Sequence, residues 1–165
     1  MKVRRIVAAL QLQGPASERV PAIADLARRM EAELLGLFVE DIDLLHFAAL
    51  PFAHELGAAS AVRRPVDVGA MERLMRARAA ELRSALAEAL VEAPVQWTFR
   101  VERGPVPRQV LAAGIEEPGT LLLPPGVDVK EEIEAVPAEE LTEARLREIL
   151  RGTRPVLILP AASKS

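Results

Sequence analysis

The chain has 165 residues, enough for one domain with a sizeable core, and half of them are hydrophobic while only 3% are aromatic. A net charge of −3 gives no general attraction to nucleic acid or to anionic membranes, so we expect neither as a partner. Cysteine is absent, which excludes disulfides, thiol chemistry and thiolate metal ligands.

The chain begins with a predicted strand, helix and strand. The run "RRIVAAL", within residues 3–10, is apolar and flanked by charge, as in a buried parallel strand. Its apolar part, residues 6–10, is shorter than the roughly 7–15 residues of a signal-peptide core, and no run approaches the ~20 residues of a membrane span. We therefore expect a cytoplasmic protein. "SERVPAIADLARRMEAE" has helical spacing, and residues 33–39, in "ELLGLFVE", predict a second buried strand.

The segment "DIDLLHFAALPFAHELG", residues 41–57, leaves the second strand at the edge of the sheet where ligands bind. It is rich in large apolar side chains, more of them than one packed face can hide. We predict that Phe47 or Phe52 lines the crevice mouth or a subunit contact, as a lid or a docking surface. The alternative is that Pro51 kinks the segment, so that all of its apolar side chains are buried.

The only histidines of the chain, His46 and His54, lie in the same segment. With Asp41 or Asp43 they could bind a metal ion, but residues scattered in this way are far more often surface or packing groups. An aspartate at this position commonly caps the following helix. We expect no metal site.

The second half of the chain begins with its longest predicted helix. In "VGAMERLMRARAAELRSALAEALVE" the large apolar residues share one face, and the arginines belong mostly to a solvated opposite face. Residues 95–101 alternate between apolar and polar, with Trp97 on the apolar side, which predicts an edge strand with one wet face. Residues 119–123, the helix in "PAEELTEARLREILRG" and residues 155–159 predict a fourth strand, a last helix and a fifth strand.

Strands that alternate with helices indicate an α/β fold: an open five-stranded parallel sheet with helices on both faces. We expect one domain, residues 1–160, and a frayed tail, residues 161–165. The runs "RRIVAAL", "GPASERV", "AELLGLFVED" and "RPVLILP", in this order over nearly the whole chain, resemble the universal stress protein family of adenine-nucleotide hydrolase-like proteins. The resemblance implies the strand order 3-2-1-4-5, with the third strand at an edge.

The chain departs from the nucleotide-binding members of that family at two places. The resemblance implies an aspartate at the end of the first strand, where this chain has Gln11. It also implies a loop after the fourth strand with the pattern G-x-x-G, a spacer, and then G followed by Ser or Thr. Here that loop reads "PPGVDVKEEIEAVPAEE", in which Gly126 is the only glycine. The crevice positions that a ligand would contact are Ala9, Gln11, Val39 and Gly126.

The composition of this loop also opposes phosphate binding. Pro124 and Pro125 have no N–H to donate to an anion. From Pro124 to Glu140 there are six acidic residues and one lysine, a net charge of −5. One repelling pair ~8 Å apart in water costs only about 0.5 kcal/mol, but several such pairs facing a polyphosphate add up. Arginines distant in sequence could still fold over the loop, but we expect no cofactor and no bound ATP.

Three functions compete. The first is a stress-response-type regulatory or interaction protein that acts through a partner protein and holds no ATP, and it rests on Gln11, the double proline and the acidic loop. The second is an ATP- or AMP-binding universal stress protein with a divergent loop, and it rests on the fold alone. The third is an enzyme acting on a small ligand, but no serine has the histidine and acid partners that catalysis needs. We favour the first and expect no enzymatic activity.

The last strand predicts a homodimer. "RPVLILP" is apolar on both faces and comes last in the expected sheet, and an exposed apolar edge strand tends to pair with another chain. The prolines at both ends limit the pairing to a short length. The predicted dimer interface is Val156, Leu157, Ile158 and Leu159. Members of the family that the chain resembles often pair in this way.

Overall fold

The computed structural model describes residues 2–11, 16–41 and 68–160, and of residues 16–18 only the backbone. In chain order the elements are β1 (Arg5–Leu10), α1 (Ala16–Met30), β2 (Glu33–Asp41), α2 (Val68–Ala89), β3 (Trp97–Gly104), α3 (Val106–Ile115), β4 (Thr120–Leu123), β5 (Glu134–Pro137), a short 3-10 helix (Ala138–Glu140), α4 (Glu143–Arg151) and β6 (Val156–Leu159). The predictions for Phe47, Phe52, His46 and His54, and for the tail at 161–165, concern positions outside the described residues.

The strands form one open sheet in the order β3-β2-β1-β4-β6-β5. β1 pairs in parallel with β2 and with β4, and β2 pairs in parallel with β3. The predicted α/β fold and its first four strand positions are confirmed. In the sheet that the structure describes, β3 with Trp97 stands at one end, as its alternating pattern predicted.

The far side of the sheet differs from the prediction in number and direction of strands. There are six strands, and β6 runs antiparallel to β4 and parallel to β5. The β5–α4–β6 unit is thus reversed relative to the rest of the sheet. The prediction that the last strand forms the edge is wrong, because β6 lies between β4 and β5. Val156 and Ile158 of the predicted dimer interface are buried in the core, and a second copy cannot pair with the backbone of β6 in this sheet.

Helices cover both faces of the sheet, as predicted. Alternate side chains of β1 point to opposite faces because a strand has a side-chain period of two. Ile6, Ala8 and Leu10 belong to the core cluster beneath α1 and α2, and Val7 and Ala9 to the cluster beneath α3 and α4. β1 is apolar without interruption from Ile6 to Leu10 because both of its faces are buried under helices.

Two glycines are required by the packing. At Gly36 of β2 an added Cβ would lie 2.7 Å from Cδ1 of Leu86, so the glycine lets α2 approach the sheet closely. Gly119 has a φ of +78°, a backbone conformation that glycine adopts without strain, in the turn that leads into β4. In residues 2–11, 16–41 and 68–160, no helix combines the length and the apolar character needed to cross a membrane.

Candidate functional site at the carboxyl ends of β1 and β4

The crevice expected for a ligand lies where β1 and β4 end side by side. After β1 the chain adds β2 and β3 on one side of β1, whereas β4 pairs with the other side of β1, so the order in which strands join the sheet reverses between β1 and β4. Open α/β sheets bind ligands at such a point, outside the carboxyl ends of the strands. Here the crevice is bordered by the end of β1, the amino-terminal half of α1 and residues 124–133, called the β4 loop below.

The four crevice positions predicted from the sequence have different surroundings. Ala9 and Val39 are buried in the core cluster beneath α3 and α4. Gln11 is exposed, and its backbone carbonyl oxygen accepts a hydrogen bond of 3.4 Å from Nε of Arg78. Gly126 lines a cavity. The structure thus brings Gly126 to an open space and leaves Ala9 and Val39 as packing residues.

The β4 loop is closed on itself and on the core. Several of its backbone N–H groups are used within the protein: Val127 donates to the carbonyl oxygen of Pro124 (3.0 Å), Asp128 to that of Thr153 (2.7 Å), Glu131 to that of Asp128 (3.1 Å), and Lys130 to Oδ1 of Asp128 (3.0 Å). The Val127 side chain is only 4% exposed and packs into the core beneath α1 and α2. These four N–H groups are therefore not available to a phosphate chain.

The carboxyl end of α4 adjoins the β4 loop, because β6 runs antiparallel to β4. Thr153, two residues beyond α4, accepts the N–H of Asp128 and donates its hydroxyl to Oε2 of Glu131 at 2.6 Å. The carboxyl end of a helix carries partial negative charge and disfavours anions. The amino terminus of α4, capped by the Thr142 side chain, follows β5 and is not the end that meets this loop.

A cavity of about 420 Å³ lies between α1 and the β4 loop. It is lined by Arg19, Ala22, Gly126, Val127, Asp128, Val129, Lys130 and Thr153. Nη1 of Arg19 is buried and has no hydrogen-bond partner in the described part of the chain. Lys130 forms no ion pair with any described residue. The cavity therefore presents two cationic groups and one carboxylate, that of Asp128.

Ion pairs lie over the carboxyl ends of the neighbouring strands. Nε of Arg103 lies 3.3 Å from Oε1 of Glu40, which joins the ends of β3 and β2, and its Nη2 lies 4.0 Å from Oε2 of Glu72 on α2. This part of the edge is thus covered by paired charges. Asp41 is the last residue of β2, and no group of three or more histidine, aspartate and glutamate side chains among the described residues could hold a metal ion.

Arg19 and Arg78 lie near the crevice although their sequence pattern had not predicted it. Arg78 was assigned to the solvated face of α2, yet it follows the buried Met75 by three residues and precedes the buried Leu82 by four. That spacing places it on the core-facing stripe, and could have identified it. For Arg19 no such signal exists, because its position depends on the β4 loop, more than 100 residues later.

The fold of this chain is similar to that of several proteins of known structure. No protein-family model and no curated protein matches the sequence. The universal stress protein UspA from Lactobacillus plantarum aligns over 98% of this chain and 99% of its own, with 12% identity and a TM-score of 0.50. The protein MJ0577 aligns over 99% of this chain and 100% of its own, with 9% identity and a TM-score of 0.51. A universal stress protein in complex with cAMP covers 98% of this chain and 100% of its own, with 12% identity and a TM-score of 0.47. The chain has the fold of the universal stress proteins.

Proposed function

We propose that this chain is a non-catalytic regulatory or interaction protein of the cytoplasm, built on the universal stress protein fold, whose crevice does not bind ATP. The observation that carries the proposal is the closed β4 loop, in which Pro124 and Pro125 have no N–H and four further N–H groups are used internally.

Binding of a triphosphate would require the loop to open. The internal hydrogen bonds would have to break, and Val127 would have to leave the core. The exposed acids Glu131 and Glu132 would then stand close to the phosphates, with the carboxyl end of α4 nearby. Each of these costs opposes the ATP complex, and they act together.

The test is thermal unfolding of the whole chain with millimolar Mg-ATP. A ligand present at one hundred times its Kd stabilises the native state by about 2.7 kcal/mol, which a melting curve detects easily. We expect a midpoint no higher than in the same concentration of inorganic phosphate with magnesium chloride. A midpoint that rises further with ATP than with phosphate would overturn the proposal.

The alternative is a nucleotide-binding protein with a divergent loop. It is favoured by one observation, the two cationic side chains of Arg19 and Lys130 on the cavity wall. The same melting experiment with AMP in place of ATP separates the two functions, since AMP avoids most of the charge repulsion but keeps the adenosine. A midpoint that rises further with AMP than with inorganic phosphate or with a phosphomonoester that lacks adenine would favour the alternative.

We also propose that the chain forms a homodimer. Among residues 2–11, 16–41 and 68–160, the edge available for pairing is β3, since β6 is inside the sheet and β5 is only four residues long and ends at Pro137. β3 has eight residues, and its Val101 side chain is 44% exposed. An exposed strand edge of this length is a template for pairing with a second chain.

A further inference from the structure

We propose that the cavity between α1 and the β4 loop binds a small oxyanion of the phosphate type through Arg19 and Lys130. Arg19 lies on the first turn of α1 and lines this cavity. Its Nη1 is the one buried side-chain nitrogen or oxygen without a hydrogen-bond partner among residues 2–11, 19–41 and 68–160. Such groups are rare, because a buried cationic donor without an acceptor has lost its water and gained nothing.

Lys130 supplies a second positive charge on the same cavity. It comes from the β4 loop, and its ammonium group has no carboxylate partner among the described residues. An anion in the cavity would accept from the guanidinium of Arg19 and from this ammonium group. Hydrogen bonds between charged groups are roughly twice as strong as neutral ones.

Two features oppose an anion: the Asp128 carboxylate lines the same cavity, and so does Thr153, just beyond the partly negative carboxyl end of α4. Oδ1 of Asp128 already accepts the N–H of Lys130, so part of its charge is compensated within the loop. The three charged side chains leave one net positive charge on the cavity wall. A single small anion therefore fits the charge balance, whereas a polyphosphate does not.

The size of the cavity agrees with an anion that carries a small substituent. Its volume of about 420 Å³ is at the lower end of the range of roughly 300–1,000 Å³ found for small-molecule sites. The guanidinium of Arg19 presents a planar fork of donors, which suits the oxygens of a phosphate or a phosphomonoester. This inference deepens the proposed function and rests on it, because the same crevice that excludes ATP is taken to accept a smaller anion.

The test compares the unmodified chain with Arg19→Met in chloride and in phosphate of equal ionic strength. In chloride we expect R19M to melt no lower than the unmodified chain, because the change removes a partly buried guanidinium whose buried Nη1 has no partner among the described residues. At phosphate concentrations about ten times the Kd, we expect the unmodified chain to gain about 3 °C and R19M to gain less than about 1 °C. The apparent affinity for phosphate should fall by about tenfold or more in R19M.

The matched control is Arg28→Met, which removes the same charge from the same helix. Arg28 is exposed and paired with Asp25, away from the cavity, so R28M should keep the full phosphate effect. The control also accounts for the general stabilisation of folded proteins by phosphate. A second variant, Asp128→Asn, keeps an acceptor for the Lys130 N–H but removes the opposing charge, and should bind phosphate more tightly.

Equal phosphate shifts in the unmodified chain, R19M and R28M would overturn the site and leave the proposed function standing. So would a phosphate effect that D128N weakens. A larger shift with Mg-ATP than with phosphate, lost in R19M, would overturn both, because the cavity would then belong to a nucleotide site. A phosphate shift lost in R19M alone, with no added effect of ATP, would support both.

Discussion

Arg5 is a buried arginine at the first position of β1, only 5% exposed, and it depends on the end of α3 for its partners. Its Nη1 donates to the carbonyl oxygen of Ala113 at 3.4 Å, and its Nη2 lies 3.8 Å from Glu116. Glu116 in turn accepts from Nη1 of Arg100 on β3 at 2.7 Å. The Glu116 carboxylate thus interacts with both Arg5 and Arg100, on the side of the sheet away from the crevice.

The hydrogen bond from Arg100, together with the charges of Arg100 and Arg5, lowers the pKa of Glu116 below its usual value. A lowered pKa in the folded state stabilises the protein above the ordinary carboxyl pKa of about 4.3, and this contribution is lost as the pH falls through the folded-state value. We therefore expect Glu116→Gln to lower the free energy of unfolding by about 1 kcal/mol at pH 7.

The difference between E116Q and the unmodified chain should shrink towards pH 3 in urea unfolding, since the carboxyl group is then increasingly protonated. Glu117→Gln is the matched control, because the Glu117 side chain forms no ion pair or hydrogen bond with a described residue. Equal stabilities of E116Q and E117Q at pH 7, or a difference that is unchanged at pH 3, would contradict this account.

At the scale of the elements, the β4 loop is a packed part of the core. Val127 is buried in the cluster beneath α1 and α2, whereas Ile133 in the same loop is 39% exposed. Truncation of Val127 to Ala removes two methyl groups from a packed site, and should cost about 2 kcal/mol. Ile133→Ala, the control, should cost less than about 1 kcal/mol in the same urea titration. A loop that is loosely attached would give small and similar losses for both variants.

The sequence predicted the elements well where their pattern is long or strongly periodic. β1, β2 and β4 are apolar runs buried on both sides. In β3, Trp97 and Phe99 pack against the core, whereas Thr98 between them is exposed. β5 was missed because it has four residues, one of them proline, inside an acidic stretch. The direction of β6 could not be predicted, since an apolar strand has the same local pattern whether its neighbour is parallel or antiparallel.

The residues that line the cavity could not be predicted from the sequence, for a different reason. The predicted positions Gln11 and Gly126 came from neighbouring strand ends, which topology places together. Arg19 and Lys130 approach the same space only because the β4 loop folds towards α1, with Val127 in the core and Val129 packed against it. That packing depends on the whole chain, so no local sequence pattern predicts that Arg19 and Lys130 line one cavity.

At the scale of the whole molecule, the proposed homodimer depends on the edge formed by β3. Antiparallel pairing of two copies centred on Val101 would place Arg100 of each copy opposite Glu102 of the other, and would bring the two exposed Val101 side chains together. Opposite charges that face each other across strands stabilise the pairing, so the central stretch "RVE" is complementary to itself.

Val101→Lys should break this dimer, because it places two positive charges at the centre of the pairing and edge lysines oppose strand addition. We expect light scattering over a range of micromolar concentrations to give the mass of two chains for the unmodified protein. For V101K it should give the mass of one, or a dimer dissociation constant raised by about tenfold or more. Ile133→Lys adds the same charge at another exposed apolar position and should leave the mass unchanged. A single-chain mass for the unmodified protein at all concentrations would refute the dimer, and an unchanged dimer in V101K would refute the β3 edge as its contact.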